Sequence, residues 1–489
     1  MSASTAASFD RLTTHRVGKA SAPQRWSRRV SADIVGFLDV AAVVVGSIVP
    51  AFIYAVVGGV DIKWVVIFKA AVLTALIHTA CMQVWNLYDT TKFNDFPVHP
   101  GRLLAALMMA TSAALGIGIP FAVAELHLWV WYASWISASY TLILGHRILA
   151  RRILANMTAD GRFDTRIAVF GAGEIARRVQ DHLKTQGTGI KFVGVYDDRP
   201  RDRLDTDGLD IKGRLEELIQ AGRSGAIDQI VIALPQSADS RIATIAAKLQ
   251  QLPVSLHVVT HIASDLIETG PAHKVSSIGS VGLLDVKAKP LTDWSPILKR
   301  AEDVILGGLM FVIALPLMAL VALAIKIEGP GPILFRQRRR GLNQAVIEVY
   351  KFRTMKVMED GSTVQQAHAN DARITMVGNV LRRTSLDELP QLINVLRGEM
   401  SLVGPRPHAL VHDEQWSDML ATYGVRHQVK PGITGLAQVE GWRGEVNTPN
   451  DIESRVTEDL AYIRLWSIGL DLQILARTFG SVVFGKNAR

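Results

Sequence analysis

The chain of 489 residues has one cysteine, Cys81, which excludes an intrachain disulfide and any cysteine-built metal site. Acidic residues are in the minority, 45 against 53 Lys and Arg, giving a formal net charge of +8. That balance admits nucleic acid, anionic lipid or phosphorylated metabolites as partners. Neither a basic stripe nor an aromatic-rich binding platform is present, so nucleic acid is set aside. The carboxy-terminal half has no zinc cluster and no Ser–His–Asp spacing. Apolar residues are in excess, at 49% with a mean hydropathy of +0.21. They concentrate in roughly the first third of the chain and again over 304–327. A multidomain α/β membrane protein is the class these features predict.

Residues 1–30, rich in Ser, Ala and Arg, read as a flexible cytoplasmic tail, too polar for a cleaved signal peptide. Ile34–Val57, Val65–Tyr88, Leu103–Val123 and Leu128–Leu149 each reach the roughly 20 residues that cross hydrocarbon as a helix. They predict a four-helix transmembrane bundle over 31–152. Asp39, His146 and Arg147 lie near span ends and are expected to reach the interface, as is Lys69; His78 reads as a packed interhelical residue. Trp129, Trp131, Tyr132 and Trp135 read as interfacial anchors. Arg28, Arg29, Lys92, Arg102, Arg151 and Arg152 flank the spans on one side, which is expected to be the cytoplasm.

Residues 160–265 change to a Rossmann-like α/β pattern. RIAVFGAGEIARRV runs from a strand through Gly171 and Gly173 into a helix, and FVGVYDD ends a second strand at Asp197. Such a turn can seat a phosphate at the helix start, with Asp197 on a ribose. It can equally be a tight βα turn in an accessory domain. No Tyr-x-x-x-Lys pair lies nearby, so an NAD-type cofactor is not expected, and an oxidoreductase or epimerase is the lesser alternative.

After an expected linker over 266–300, Val304–Ile327 is long enough for about 36 Å of helix. Pro316 sits at its centre, where a proline kinks a helix. Both flanks are basic, so a straight crossing would put one cluster outside. A re-entrant helical hairpin, bent near Pro316 and returning to the cytoplasmic side, resolves the conflict.

The last domain, 301–489 including this segment, is expected to be mainly helical. Its cations include Lys351 and Arg353 of YKFRTMK, either of which could hold a phosphate. In TSLDELPQLINVL, Ser385 is expected to cap a helix with Glu388 at its third position. Asp387 and Glu388 are adjacent carboxylates that need not act alike, since one can attack phosphorus while the other holds a hard divalent ion. Pro405 and Pro407 stiffen the backbone around Arg406, and His408 reads as structural. Gly432, Gly435, Gly441 and Gly444 are expected to permit close turns near a ligand.

Here a resemblance becomes specific. KFRTM at Lys351–Met355, DARIT at Asp371–Thr375, LRRTSLDELPQLINVLRGEMSLVGPRP at Leu381–Pro407 and KPGITGLAQV at Lys430–Val439 resemble the bacterial sugar transferase family. These are monotopic polyprenyl-phosphate phosphoglycosyl transferases, and the whole chain is similar to their long membrane-anchored branch. The resemblance implies a catalytic Asp387, an adjoining Glu388 holding the metal, a conserved Arg382, and nucleotide binding by Pro405, Arg406 and Pro407. It implies transfer of a sugar phosphate from a UDP-sugar to undecaprenyl phosphate, and the carboxylate and phosphate oxygens suit Mg²⁺, with Mn²⁺ as an alternative. GWRGE, with Arg443 as a candidate phosphate contact, resembles glucose-transferring members; galactose is the second choice. A non-enzymatic assembly scaffold is a third reading. The expected setting is a bacterial cytoplasmic membrane with the soluble domains facing the cytoplasm. Anionic lipids, a second copy of the chain and downstream polysaccharide-assembly proteins are the expected partners. NQAVIEV departs from the family's usual Asn-Gly-Lys/Arg-Pro-Phe pattern before KFR.

Overall fold

The computed structural model describes residues 26–59, 63–88, 99–118, 126–185, 189–200, 208–235, 238–260, 275–278, 281–287, 289–356, 371–420, 422–442 and 448–483. The chain divides into two compact units, one over Pro23–Asp164 and the other from Thr165 onward.

The first unit holds α1 (Arg28–Gly58), α2 (Trp64–Val84), α3 (Pro100–Gly118) and α4 (Leu126–Ala159). Helix α1 packs on α4 and α2, α2 on α3, and α3 on α4. At Gly46 the first and last helices touch backbone to backbone: a Cβ there would lie 2.7 Å from the Ser139 nitrogen. Among the described residues, α1, α2 and the later helix Ser295–Glu328 are long and apolar enough to cross a membrane. Asp39 and Arg147 do not reach an interface as expected. Both are fully buried, and Arg147 Nη2 lies 2.6 Å from Asp39 Oδ2. Tyr88 OH and His146 Nε2 complete the carboxylate's shell at 2.8 and 3.0 Å. An ion pair taken out of water persists only when its remaining lone pairs are satisfied in this way. Trp131 and Trp135 are likewise core residues, not anchors; the Trp135 indole donates to the Val43 carbonyl at 3.1 Å. Trp129 is exposed.

The second unit begins with the accessory α/β domain: β1 (Thr165–Phe170), α5 (Glu174–Thr185), β2 (Ile190–Tyr196), β3 (Ile211–Gly213), α6 (Leu215–Arg223), β4 (Gln229–Ile232), α7 (Asp239–Leu249), β5 (Ser255–Thr260), β6 (Val275–Ile278) and β7 (Val281–Lys287). Its sheet order is β3-β2-β1-β4-β5-β7-β6, parallel through β5 and antiparallel at β7 and β6. The strand period of two divides the core: Ala168, Phe170, Ile230 and Ile232 pack on one face, Ile167, Val169 and Val231 on the other. The expected linker over 266–300 is therefore corrected. It supplies two strands of this sheet, and the next helix starts within it.

The catalytic-domain candidate comprises α8 (Ser295–Glu328), the antiparallel hairpin β8 (Leu334–Arg340) and β9 (Val346–Phe352), α9 (Met376–Thr384), α10 (Gln391–Arg397), β10 (Ser401–Val403), α11 (Leu410–Met419), β11 (Gly432–Thr434), α12 (Leu436–Val439), α13 (Pro449–Leu465) and α14 (Ile468–Val483). Helix α8 runs as one 34-residue element with Pro316 inside it. Leu306, Phe311, Ala314, Met318, Val321 and Ile325 recur at helical spacing and pack on the domain from one end of α8 to the other. Ile305, Leu309, Val312, Ile313, Leu320 and Ile327 leave the opposite face exposed.

Candidate functional site

Two short elements and one strained residue set the geometry of the adjacent carboxylates. Thr375 Oγ1 caps α9 by accepting from Gly378 N at 2.9 Å. The helix ends at Ser385, which takes a left-handed φ of 58°. A left-handed residue there terminates the helix and turns the chain sharply. The expected Ser385–Glu388 capping box is thus corrected: Ser385 is the carboxy-terminal cap of α9, and its side chain caps no following helix. Leu386–Glu388 form a single 3₁₀ turn between α9 and α10, packed against β9.

Within that turn the carboxylates have different surroundings. Glu388 is buried, and Lys351 Nζ, reaching from β9, lies 2.8 Å from its Oε1. Arg406 binds it at two points, Nη2 to Oε1 at 2.6 Å and Nη1 to Oε2 at 3.1 Å. Burial alone would raise the Glu388 carboxyl; Arg406 and Lys351 overcome that and hold it well below the usual range. Asp387 goes the other way. Burial pushes its carboxyl up and Glu388 adds to the rise, while Lys351, Arg406 and Arg382 restrain it. One carboxylate is pinned as an anion and its neighbour is poised, an arrangement suited to two separate roles.

A buried network lies behind Arg406 and was not legible in the sequence. Arg426 donates from Nη2 to the Arg406 carbonyl at 2.6 Å and to Asp459 Oδ2 at 2.7 Å. Its Nη1 reaches Tyr423 OH at 3.1 Å, and Tyr423 OH donates to Asp413 Oδ1 at 2.7 Å. His408 joins Tyr423 OH through Nδ1 at 2.7 Å, and burial followed by Arg426 holds it well below its usual pKa. His408 is thus a neutral structural member of the network, in keeping with its sequence reading. In front, Gly404 leaves no room for a side chain: a Cβ there would meet the Lys430 carbonyl at 2.5 Å. Gly432 and Gly435 press on the same Gly404 backbone, so they serve the β10–β11 contact that carries Pro405–Pro407.

Of the residues expected at the site, the structure brings together Asp387, Glu388, Lys351 and Arg406, with Arg382 acting on Asp387 by charge. Pro405 and Pro407 flank Arg406, and the Pro407 carbonyl accepts from Arg339. Arg353 is elsewhere. Its guanidinium caps the end of α8, donating to the carbonyls of Ile325, Gly329 and Pro330 at 3.2, 2.9 and 2.7 Å. Arg443 lies outside the described residues. In the accessory domain, Asp197 is nearly fully buried and accepts from Ala172 N at 2.7 Å. Arg199 also donates to Asp197, through Nη2 at 2.9 Å, and to the Ala172 carbonyl. The side chain expected on a ribose is therefore engaged by the glycine turn itself.

The described residues contain no group of three or more His, Cys, Asp and Glu placed to hold a metal. Mg²⁺ needs less than that, because it keeps waters and is bound through one or two carboxylates plus substrate phosphates. Glu388, the carboxylate expected to hold such a phosphate-borne ion, has both oxygens engaged by Lys351 and Arg406, so Asp387 offers the less engaged oxygens.

Residues 294–485 match the family model described as Bacterial sugar transferase, and residues 83–260 match one described as CoA-binding domain. The chain is 38% identical over 356 residues to a UDP-glucose:undecaprenyl-phosphate glucose-1-phosphate transferase of Escherichia coli (strain K12), covering 72% of this chain and 75% of that protein. It is 34% identical over 438 residues to a protein of the same name from Xanthomonas campestris pv. campestris, covering 86% and 88%. A UDP-N-acetylgalactosamine-undecaprenyl-phosphate N-acetylgalactosaminephosphotransferase of Aeromonas hydrophila is 38% identical over 198 residues, 40% of this chain and 46% of that one. Aligned with such relatives over most of their length, and carrying the paired carboxylates in the matched region, the chain belongs to the bacterial sugar transferase family.

Proposed function

We propose that the protein transfers glucose 1-phosphate from UDP-glucose to undecaprenyl phosphate through a covalent aspartyl intermediate, initiating an exopolysaccharide or related glycan. The observation that carries this reading is the unlike pair in one turn: Glu388 held by Lys351 and Arg406, Asp387 beside it with a raised pKa. A deprotonated Asp387 oxygen attacks the sugar-bearing phosphorus of the donor, and an oxygen–phosphorus bond forms. The diphosphate bridge breaks, and UMP leaves with the bridging oxygen and its electron pair. An oxygen of undecaprenyl phosphate then attacks the same phosphorus, and the Asp387–phosphorus bond breaks to restore the carboxylate. Lys351 and Arg406 orient Glu388 and lend positive potential to the incoming phosphates. Asp387 and Glu388 would hold Mg²⁺, or Mn²⁺ in its place. The ion supplies charge neutralisation of the diphosphate.

Glucose is the preferred sugar because the relatives covering most of the chain carry that name. Galactose is the runner-up, since epimers differ in one hydroxyl and a few hydrogen bonds decide between them. An accessory-domain epimerase is not favoured, because Asp197 is already bound within its own turn.

The setting is the bacterial cytoplasmic membrane with the soluble domains on the cytoplasmic side. Support for a one-sided placement of α8 comes from its packing: the catalytic domain covers one face along the full helix, and the other face is apolar and exposed. A helix crossing straight through would have to separate its two ends by the bilayer, while here both ends bind one domain. The deciding experiment is a product assay with purified protein, Mg²⁺, undecaprenyl phosphate and matched UDP-sugars. Glucose transfer with UMP release is expected. Release of UDP would overturn phosphoglycosyl transfer, and galactose transfer without glucose transfer would change the donor alone.

A further inference from the structure

A cavity of about 290 Å³ lies where the accessory domain meets the catalytic domain. Gly222, Gly225 and Pro253 wall it on the accessory side, and Asn343, Lys430 and Trp466 on the other. None of Asp387, Glu388, Lys351 or Arg406 lines it.

Its charges are unevenly spoken for. Lys289 and Lys299 line the cavity but are paired, with Asp228 at 3.2 Å and Asp471 at 2.6 Å. The Asp303 carboxylate is used by Ser401 Oγ at 2.8 Å and Leu402 N at 2.9 Å. Arg300 donates to neutral carbonyls, those of Val395 and Leu396 at 2.7 Å each, and makes no ion pair within 4 Å among the described residues. Lys430 has no hydrogen-bond or ion-pair partner among the described residues. The Lys430 ammonium and the Arg300 guanidinium stand against the same point of the backbone, each 3.5 Å from where a Cβ on Gly398 would be. Burial, followed by Arg300, pushes the Lys430 ammonium down, with the Asp303 carboxylate acting in the opposite direction.

The remaining walls are specific as well. Asn343 holds a left-handed φ of 55° and its buried Oδ1 finds no partner. Leu291, on the same wall, has a φ of 49°, a conformation that a branched residue adopts only when its surroundings impose it. Tyr462 and Trp466 add flat apolar surface, with their polar atoms already bonded to the Val403 carbonyl and Asp471. The volume is near the lower end of small-molecule sites, which run from roughly 300 Å³.

We propose that this cavity is a second ligand site, separate from the carboxylates, that takes a phosphate monoester with a flat or apolar body no larger than a mononucleotide. The phosphate lies between Lys430 and Arg300, a polar hydrogen of the ligand meets Asn343 Oδ1, and the body rests on Trp466. The ligand touches both domains and stabilises their junction.

Phenyl phosphate is the probe, titrated into the full-length protein in detergent and followed by thermal unfolding and tryptophan fluorescence. Saturable stabilisation is expected, with inorganic phosphate binding more weakly. Lys430→Gln should weaken binding about tenfold through loss of one charge-assisted contact. Asn343→Asp, a residue that tolerates the left-handed region, should weaken it as well by placing a carboxylate in the cavity. Arg406→Gln should leave the affinity unchanged. If Lys430→Gln does not fold, Asn343→Asp decides. The proposal is overturned if the wild type shows no saturable binding, if both cavity variants bind as the wild type does, or if only Arg406→Gln loses the probe.

Discussion

Arg406 meets Glu388 in a two-point pair, Nη2 to Oε1 at 2.6 Å and Nη1 to Oε2 at 3.1 Å, while Lys351 shares Oε1 at 2.8 Å. Two half-buried cations thus share one buried carboxylate. Glu388→Gln would remove their bonded carboxylate and leave Asp387 acting on them by charge alone, so the loss should stay below the about 3–5 kcal/mol of a fully buried pair. Chemical unfolding in detergent should show that loss at neutral pH. The Glu388 pKa is depressed in the fold, so its stabilisation is present above the ordinary glutamate value and is lost as pH falls through the folded value. The gap between wild type and variant should therefore close in acid. An unchanged Mg²⁺ response of the residual activity would remove the metal-holding role of Glu388 but not this structural one.

Asp387→Asn should abolish the covalent phosphosugar intermediate and leave the protein membrane-bound. Mass spectrometry of the protein quenched with UDP-glucose reads the first, and wild-type-like turnover would refute the nucleophile assignment. The Asp387 pKa is raised in the fold, so stability is greatest below the unfolded value and falls as pH rises through the folded one. Asparagine removes that cost, and a gain of up to about 1 kcal/mol at neutral pH is expected. The same shift places the acid limb of the pH–rate profile above the ordinary aspartate value.

Arg426 is a positioning residue, acting through the Arg406 carbonyl. Arg426→Lys keeps the charge opposite Asp459 but loses the fork that also reaches Arg406 and Tyr423. A fall in kcat on the order of tenfold to a hundredfold is expected from misplacing the site. Tyr423→Phe should cost less, because the Arg426–Asp459 pair survives. A variant that loses melting temperature in proportion to kcat would indicate a packing role alone.

Cysteines at Ser295 and Ser362, in a Cys81→Ser background, test the side on which α8 begins and ends. Both should resist a membrane-impermeant thiol reagent in intact cells and react after permeabilisation. Labelling only at Ser362 in intact cells would establish a crossing.

What was legible in the sequence was local. Asp387 and Glu388 announce themselves by adjacency, and Lys351 and Arg406 by the motifs around them. The strand at Ile167–Phe170 shows as a β-branched run before a glycine turn. Longer-range pairing left no trace: Arg426 and Asp459 are 33 positions apart, and Asp39 and Arg147 are 108 apart. Ser385 misled because Ser-x-x-Glu fits the start of a helix, whereas the end of α9 claimed that residue first. Arg353 follows β9 immediately, and its long side chain was free to reach the open carbonyls at the end of α8. Gly279–Ser280 between two short apolar runs carries a hairpin signal that a linker reading overlooks.

Helix α8 is fastened to its domain at both ends, by Arg300 on the last carbonyls of α10 and by Arg353 on its own final turn, with apolar contacts between. Anchor and catalyst are consequently one mechanical part. Through these contacts the helix is joined to β9 and to the 3₁₀ turn that carries the two carboxylates, so on the membrane placement proposed above the height of that turn over the lipid tails is set by the helix. Lipid composition would then act on turnover as a change of elevation, altering how readily the acceptor phosphate arrives while the soluble donor binds as before.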